Sequence, residues 1–403
     1  MLLAGTLWLT ATRRVRGAAF LSMLWNVVAL MLVNALAVQQ QWWSFGTEGA
    51  MWAGVPVDVI LGWAALWGAV PVLSMEWVRP EVTVCVLVVA DVFAMGSLRP
   101  LVTLESTWWW GELLAVSVAL APGVVLGVLT ARERALRVRA SLQVVLFGML
   151  IGFVIPTVAF ELGGTGWLFR LREVGGVFDW LLIQIGVLIS IFALRAVTEF
   201  ATVGGGTPFP WDPPKRMVVI GPYAYVANPM QMSAVALLVI AAALFREPSI
   251  VVAAVVGVAF GAGLAAWHEL TELDDRFGPA WLDYRASVRE WSPRWTPVNL
   301  APATLYVSVT CDPCSRVGQW FERRAPTGLV VAAAETHPDE LTRVRYEGAV
   351  TLTGTRAVAA ALEHVSLGWA LVGWTMRAPV LGWFLQLLVD ACGGGPRTID
   401  ASD

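Results

Sequence analysis

The amino-acid sequence predicts a mostly α-helical membrane protein of about eight spans, followed by a C-terminal α/β domain. Three observations carry that expectation. The 403 residues are 57% hydrophobic and only 14% charged, with a mean hydropathy of +0.67, a composition foreign to soluble domains. Apolar runs close to the roughly 20 residues that a helix needs to cross hydrocarbon recur up to residue 267. After about residue 270 charges become frequent, prolines cluster in SPRWTPVNLAP, and no uninterrupted run of that length returns.

The runs lie near 18–38, 57–75, 81–98, 110–130, 141–160, 178–198, 229–245 and 248–267. Hydrocarbon admits only backbones that satisfy their own hydrogen bonds, so each run reads as a helix. The opening MLLAGTLWLTATRRVRG puts its apolar part before its charges, the reverse of a cleavable signal, and the first span is expected to be retained.

Short loops set the orientation through their basic residues. A cytoplasmic N-terminus puts Arg13, Arg14, Arg16, Arg79, Arg132, Arg134, Arg137, Arg139, Lys215 and Arg216 inside, and leaves Arg99, Arg170, Arg172 and Arg246 outside. The expectation is a multi-pass protein of a bacterial inner (plasma) membrane with both termini cytoplasmic. Trp42, Trp43 and Trp108 to Trp110 then fall at outer helix ends, where amphipathic rings favour the headgroup zone. The net charge of −3, with no basic patch interleaved with aromatics, gives no sign of a nucleic-acid partner.

Three regions follow. Residues 1–140 form a four-helix membrane region without a recognisable role. Within it, Asp91 sits inside the third span, where an ionisable group is costly and is either functional or a helix-packing partner. Cys85, also inside a span, reads as packing. Residues 141–298 form a second membrane region, and residues 303–398 a soluble domain. The apolar tail LGWALVGWTMRAPVLGWFLQLLVDA is interrupted by Arg377 and Pro379, so it is expected to pack on that domain or lie on the membrane surface, with a ninth span as the alternative.

The loop from Ala201 to Pro229 holds the densest local signals. GGGTPFPWDPP cannot be helical. Gly221 and Pro222 suit a tight turn. Asn228 suits an extended residue capping a helix that starts at Pro229, whose free N–H groups could receive an anion. Tyr223 and Tyr225 could offer ring faces to a cation. The alternative is an interfacial loop whose tyrosines are headgroup anchors. WHELTELDDRFGPAWLDYRASVREWSPRW, residues 267–295, leaves the eighth span on the same side of the membrane.

Together, GGGTPFPWDPPKRMVVIGPYAYVANPM, a helical hairpin, HELTEL, RFGPAWLDY and VREWSP resemble the C-terminal half of the isoprenylcysteine carboxyl methyltransferase and phospholipid methyltransferase superfamily. The resemblance covers residues ~200–295. It implies a membrane enzyme using S-adenosyl-L-methionine, with a cofactor cavity facing the cytoplasm. The matching positions are Gly221, Pro222, Tyr223, Tyr225, Asn228, Pro229, Glu269, Phe277, Gly278, Tyr284 and Pro293. Ala224 and Ala227 stand where that family commonly has arginine, Gln231 where it has tyrosine, His268 where arginine precedes an acidic pair, and Leu270 in place of the second acid. Charge-assisted hydrogen bonds to a carboxylate-bearing ligand are thereby lost, with His268, Lys215 or Arg216 as compensating candidates. Methyl transfer needs alignment above all. An amine or hydroxyl acceptor would need a base, for which Glu269 or His268 is the candidate; His268 also reads as a structural helix-end residue.

TLYVSVTCDPCSRVGQWFERR reads as a strand, a C-x-x-C pair and an amphipathic helix. A thiol at a helix N-terminus has its thiolate stabilised, and a second thiol three residues on can resolve a mixed disulfide, so the spacing suggests thioredoxin-like redox chemistry. Zinc would want four ligands, and only His337, His364 and Cys392 remain nearby, at unhelpful spacing; an inert pair of helix-start thiols is the other reading. Residues ~303–397 resemble the DCC family of thiol-disulfide oxidoreductase-like proteins. That resemblance implies a thioredoxin-type fold, with Cys311 attacking and Cys314 resolving. Ser308, Val309 and Thr310 occupy the stretch where that family carries an aspartate.

The function expected is therefore an S-adenosylmethionine-dependent membrane methyltransferase acting on a lipophilic or membrane-located acceptor, fused to a thioredoxin-like domain whose partner would be a thiol-bearing protein. Two alternatives are an NADPH-dependent membrane reductase of an isoprenoid or sterol-like lipid, and a degenerate helical bundle anchoring a redox domain.

Overall fold

The computed structural model describes residues 2–46, 50–52, 54–209, 211–265, 273–298 and 300–396. It is 67% helical. The chain divides into two compact units, Met1–Phe169 with Gly206–Pro213, and Arg170–Gly205 with Pro214–Asp403.

The first unit opens with α1 (Leu2–Thr10) and α2 (Arg13–Gln39). Thr12 starts α2 by accepting the Val15 N–H on its hydroxyl. There follow α3 (Val57–Leu73), α4 (Pro80–Ser97), α5 (Trp108–Ala131) and α6 (Leu136–Leu162). In a short antiparallel ribbon, β1 (Trp43–Phe45) pairs with β4 (Val102–Leu104); β2 (Met51–Trp52) and β3 (Val55–Pro56) form another. The hydrophobic core gathers on α2, through Leu21, Val28, Leu30 and Val33, with Leu120 and Leu126 of α5 packed against it.

Small residues let these helices approach closely. A Cβ added to Gly127 would stand 2.5 Å from Val72 Cγ2 and 2.9 Å from Ser22 Cβ, and one added to Gly68 would stand 2.5 Å from Met23 Cα.

Prolines inside three helices have a common solution. Pro71, Pro122 and Pro156 each follow a π-turn, at Ala65–Ala69, Val116–Leu120 and Leu150–Val154. A helical proline lacks an N–H and its ring collides with the carbonyl four residues back; the wider turn moves that carbonyl aside.

The second unit contains α7 (Val177–Gly204), α8 (Pro229–Leu244), α9 (Ser249–Gly263) and α10 (Pro279–Ser287). The turn between α8 and α9 is pinned to the start of α7: Arg246 Nη2 donates to both Asp179 oxygens at 3.1 and 3.2 Å, and Arg170 donates to Glu247 at 2.6 Å. Beyond α10 lie β5 (Ala303–Val307), α11 (Asp312–Glu322), β6 (Leu329–Ala333), β7 (Arg345–Glu347), β8 (Thr351–Thr353), α12 (Thr355–Leu362), α13 (Leu367–Met376) and α14 (Pro379–Val389). The sheet order is β6-β5-β7-β8; β5 and β6 run parallel, and β7 runs against both of its neighbours.

Five helices, α2, α4, α5, α6 and α7, are long and apolar enough to cross a membrane, while α3, α8 and α9 are apolar but shorter. Each of the eight expected runs contains a helix among the described residues. The apolar tail forms α13 and α14, broken at Arg377 and Ala378. Gln386 of α14 docks on the domain by accepting from Thr355 N and Oγ1, while Val380, Trp383 and Phe384 are exposed.

One placement differs from expectation. Trp109 and Trp110 are about half exposed, but Trp43 is buried to 1% exposure and donates its indole N–H to Asn34 Oδ1. A tryptophan whose N–H finds a buried acceptor gains more inside the bundle than at the interface.

Candidate functional site

The loop after α7 is shaped by Gly221. Its φ of +61° suits glycine, and a Cβ there would stand 2.9 Å from Glu199 Cγ. A 3-10 turn, Gly221–Ala224, follows with Pro222 near its start, and the Tyr225 and Val226 N–H groups return to the Pro222 carbonyl. Asn228 occupies the N-cap position of α8 and Pro229 its first position, as expected. Asn228 makes no side-chain cap bond, however, and its own N–H goes to the Glu290 carbonyl.

Two distant segments meet at this loop. Tyr284 of α10 donates its hydroxyl to the Tyr223 carbonyl at 2.9 Å. The Ala227 N–H bonds to Arg289 O, the Arg294 N–H to Tyr225 O and the Val298 N–H to Ala224 O. Phe277, Trp281 and Val288 pack with Tyr284 and Ala227. Gly278 turns into α10 at φ +54°, and Pro293 lies exposed on the returning strand of chain. Glu269 and His268 lie outside the described residues.

The tyrosine rings are occupied by protein. Tyr223 stacks on Phe200 at 6.1 Å, and Tyr225 meets Trp374 edge-on at 6.1 Å. Tyr225 is completely buried, and its hydroxyl donates to the main-chain carbonyl of Glu363 at 2.7 Å. Burial pushes both the Tyr225 and Tyr284 phenols above their ordinary range; Glu363 adds to the effect at Tyr225, and Arg285 opposes it at Tyr284. Both phenols are neutral donors.

Around Tyr225 the C-terminal domain is built into the base. Phe192 of α7 packs with Trp374 and Ala370 of α13. Arg377 and Arg195 both reach the Glu363 carboxylate, at 2.5 and 3.6 Å, and Arg195 also pairs with Glu199. Burial lowers the Arg377 guanidinium from its usual value, and Glu363 opposes that.

Beside Gly261, Gln231 Oε1 and the Trp291 ring come so close that a Cβ would collide with both. Gln231 Oε1, Trp291 Nε1 and Trp281 Nε1 are buried and have no hydrogen-bond partner among the described residues.

The second site sits at the head of α11. Cys311 holds the N-cap position, and its carbonyl accepts the Ser315 N–H at 2.8 Å. Cys311 and Cys314 are both of intermediate exposure. A Cβ on Gly318 would lie 3.1 Å from Val307 Cγ2, so α11 packs closely on β5. Glu335, which the sequence did not single out, reaches over the loop before Cys311. Its carboxylate accepts from Ser308 Oγ, the Val309 N–H and Thr310 Oγ1 at 2.7, 3.0 and 3.2 Å. His337 and His364 are engaged elsewhere, with Glu347 and Asp339, and with Tyr346 and Thr327.

In the first unit, the carboxyl of Asp91 on α4 is a neighbour of the Glu112 carboxyl on α5, and both Glu112 oxygens are buried without a hydrogen-bond partner among the described residues. Glu112 is 5% exposed. Arg139 of α6 binds the buried Asp212, which also accepts from Thr207 Oγ1.

No protein-family model matches the sequence, and neither a curated protein nor a solved structure matches the chain.

Proposed function

We propose that the protein is a multi-pass membrane protein carrying a thioredoxin-type thiol–disulfide oxidoreductase domain on a methyltransferase-type helical base. The observation behind the redox reading is the placement of Cys311-Asp312-Pro313-Cys314. The motif leaves an inner strand of a sheet ordered β6-β5-β7-β8, with β7 alone running against the rest, and opens the helix packed on that strand. This connectivity supports a thioredoxin-type fold, and a helix start favours a thiolate.

In this reading the Cys311 thiolate attacks one sulfur of a partner disulfide. The partner S–S bond breaks, and its other sulfur leaves with the electron pair and takes a proton. Cys314, as thiolate, then attacks Cys311 sulfur and releases the partner's second thiol. The partner disulfide is reduced by two electrons as Cys311 and Cys314 are oxidised, and an external dithiol must regenerate them. The partner class is a thiol-bearing protein near the inner leaflet.

The test is equilibration of the detergent-solubilised full chain in reduced and oxidised dithiothreitol, with thiols counted by mass-tagging. A reversible two-thiol transition, absent from Cys311→Ser and Cys314→Ser, is expected. Absence of any transition across the range refutes the reading.

The joining of the 221–228 loop to α10 and residues 289–298 favours a second activity at the base, transfer of a methyl group to a lipophilic acceptor. S-adenosylmethionine would supply that group. The unsatisfied Gln231 Oε1, Trp291 Nε1 and Trp281 Nε1 fit a polar ligand. These three side chains would hold it, with His268 and Glu269 as the expected ionisable contacts. Binding of labelled S-adenosylmethionine to wild type, Asn228→Ala and Glu269→Gln tests it. No binding to wild type leaves the base as an anchor for the redox domain.

The proposed placement is the inner membrane with both termini cytoplasmic. The apolar helices and the exposed Val380, Trp383 and Phe384 of α14, suited to the membrane surface, support the membrane placement, and the distribution of basic residues among the loops supports the orientation.

A further inference from the structure

We infer that Glu335 is the positioning residue of the Cys311–Cys314 pair, and that it sets the pair to reduce disulfides rather than to make them. The inference rests on the redox reading above and deepens it.

The argument starts from register. β5 and β6 are parallel, with Val307 opposite Ala333. A residue two positions beyond β6 therefore stands beside the residues just beyond β5, which lead into Cys311. Glu335 is that residue, and it bonds all three of them. Ser308 Oγ donates at 2.7 Å, the Val309 N–H at 3.0 and 3.3 Å to the two oxygens, the Thr310 N–H at 3.4 Å and Thr310 Oγ1 at 3.2 Å. Burial works against a charged carboxyl there, but the bonds from Ser308, Thr310 and Val309 outweigh it and hold Glu335 below the usual carboxylate range.

Two effects on the thiol follow. The main-chain N–H groups of Val309 and Thr310 point to Glu335, so they cannot turn to a Cys311 thiolate. A fixed negative charge also stands beside the residue preceding Cys311 and repels a second negative charge brought there. A destabilised dithiol form shifts the equilibrium toward the disulfide, which is the definition of a stronger reductant. The substrate class is accordingly a disulfide, protein-borne or small.

Other charges near the site are paired. On α11, Asp312 and Arg316 lie 3.6 Å apart and are exposed. On β7 and the turn before it, Glu347 binds both Arg345 and His337, and Asp339 is 3.8 Å from Arg345. These groups stay in place in every variant below.

The experiment uses the full chain in detergent. Glu335→Gln keeps an acceptor of similar size and removes the charge. At a pH above the wild-type alkylation midpoint, its equilibrium with dithiothreitol should move about tenfold toward the dithiol relative to wild type, roughly 30 mV. In a Cys314→Ser background, the pH midpoint of Cys311 alkylation should fall by about one unit. Glu335→Asp should stay nearer wild type than Glu335→Gln. Ser308→Ala, which loosens the loop without altering charge, should leave the alkylation midpoint in place. Unchanged midpoints in Glu335→Gln overturn the inference, as does a shift in Ser308→Ala as large as in Glu335→Gln. If wild type shows no disulfide cycling, the redox reading and the reductant poise fall together. The alkylation arm needs no disulfide and still decides whether Glu335 acts on Cys311.

Discussion

The hydroxyl of Tyr225 donates a 2.7 Å hydrogen bond to the main-chain carbonyl of Glu363, 138 residues further along the chain. The loop and the C-terminal domain are thereby parts of one core. Tyr225→Phe leaves a buried carbonyl without its donor and is expected to cost about 1–3 kcal/mol. A lower unfolding temperature, with faster proteolysis near residues 299–303, is the expected readout; unchanged values would show the bond to be dispensable.

Gly221→Ala should be worse than its one-carbon size suggests. The position combines a left-handed backbone with Glu199 Cγ 2.9 Å from the new methyl. The cost expected is about 1–3 kcal/mol for the backbone alone, and thermal denaturation in detergent measures it. An unperturbed variant would mean that the turn can relax.

Acidification should weaken the C-terminal domain in two separate windows. His364 Nδ1 must donate to the Thr327 carbonyl at 2.7 Å, so its Nε2 accepts from Tyr346 at 2.9 Å. Burial holds its imidazole below the ordinary range and pushes the Tyr346 phenol up to about 12. The unfolded histidine, at about 6.5, takes its proton first. The stability it contributes is complete above that pH and is lost as pH falls toward the folded value. Glu335, also depressed, adds a second loss that begins only near the unfolded glutamate value of about 4.3. Unfolding temperatures from pH 7.5 to 5 should decline in wild type and flatten in His364→Gln; equal slopes would assign the decline to other groups.

Much of the fold was legible because hydropathy and proline are local signals. Each of the eight apolar runs contains a helix among the described residues, five of them long enough to span, and Pro229 marked the start of α8. The loop's turn at Gly221 and the cysteines at the head of α11 were also legible, since turn and cap chemistry act over a few residues. What escaped depends on partners distant in sequence. Nothing in GPYAY announces Glu363 as the acceptor of Tyr225. Glu335 becomes a neighbour of Thr310 only once β5 and β6 lie parallel. Glu112 hides behind three tryptophans, and Trp43 looks like a headgroup anchor until Asn34 is found beneath its indole.

Gly68→Leu in the first unit should prevent assembly rather than trim it. The new side chain would begin 2.5 Å from Met23 Cα, and backbone cannot step aside as a side chain can. Overpacking ordinarily costs about 1–3 kcal/mol, and here the outcome expected is loss of monodisperse protein on gel filtration. A well-folded variant would mean that α2 and α3 can part.

The π-turns before Pro71, Pro122 and Pro156 have a consequence for motion. Each keeps a bond five residues back, Val70 to Ala65, Ala121 to Val116 and Ile155 to Leu150, but the proline that follows donates none, so the helical ladder lacks one rung at that level. The long helices of the first unit thus carry their weakest rungs at three fixed levels, and bending costs least there.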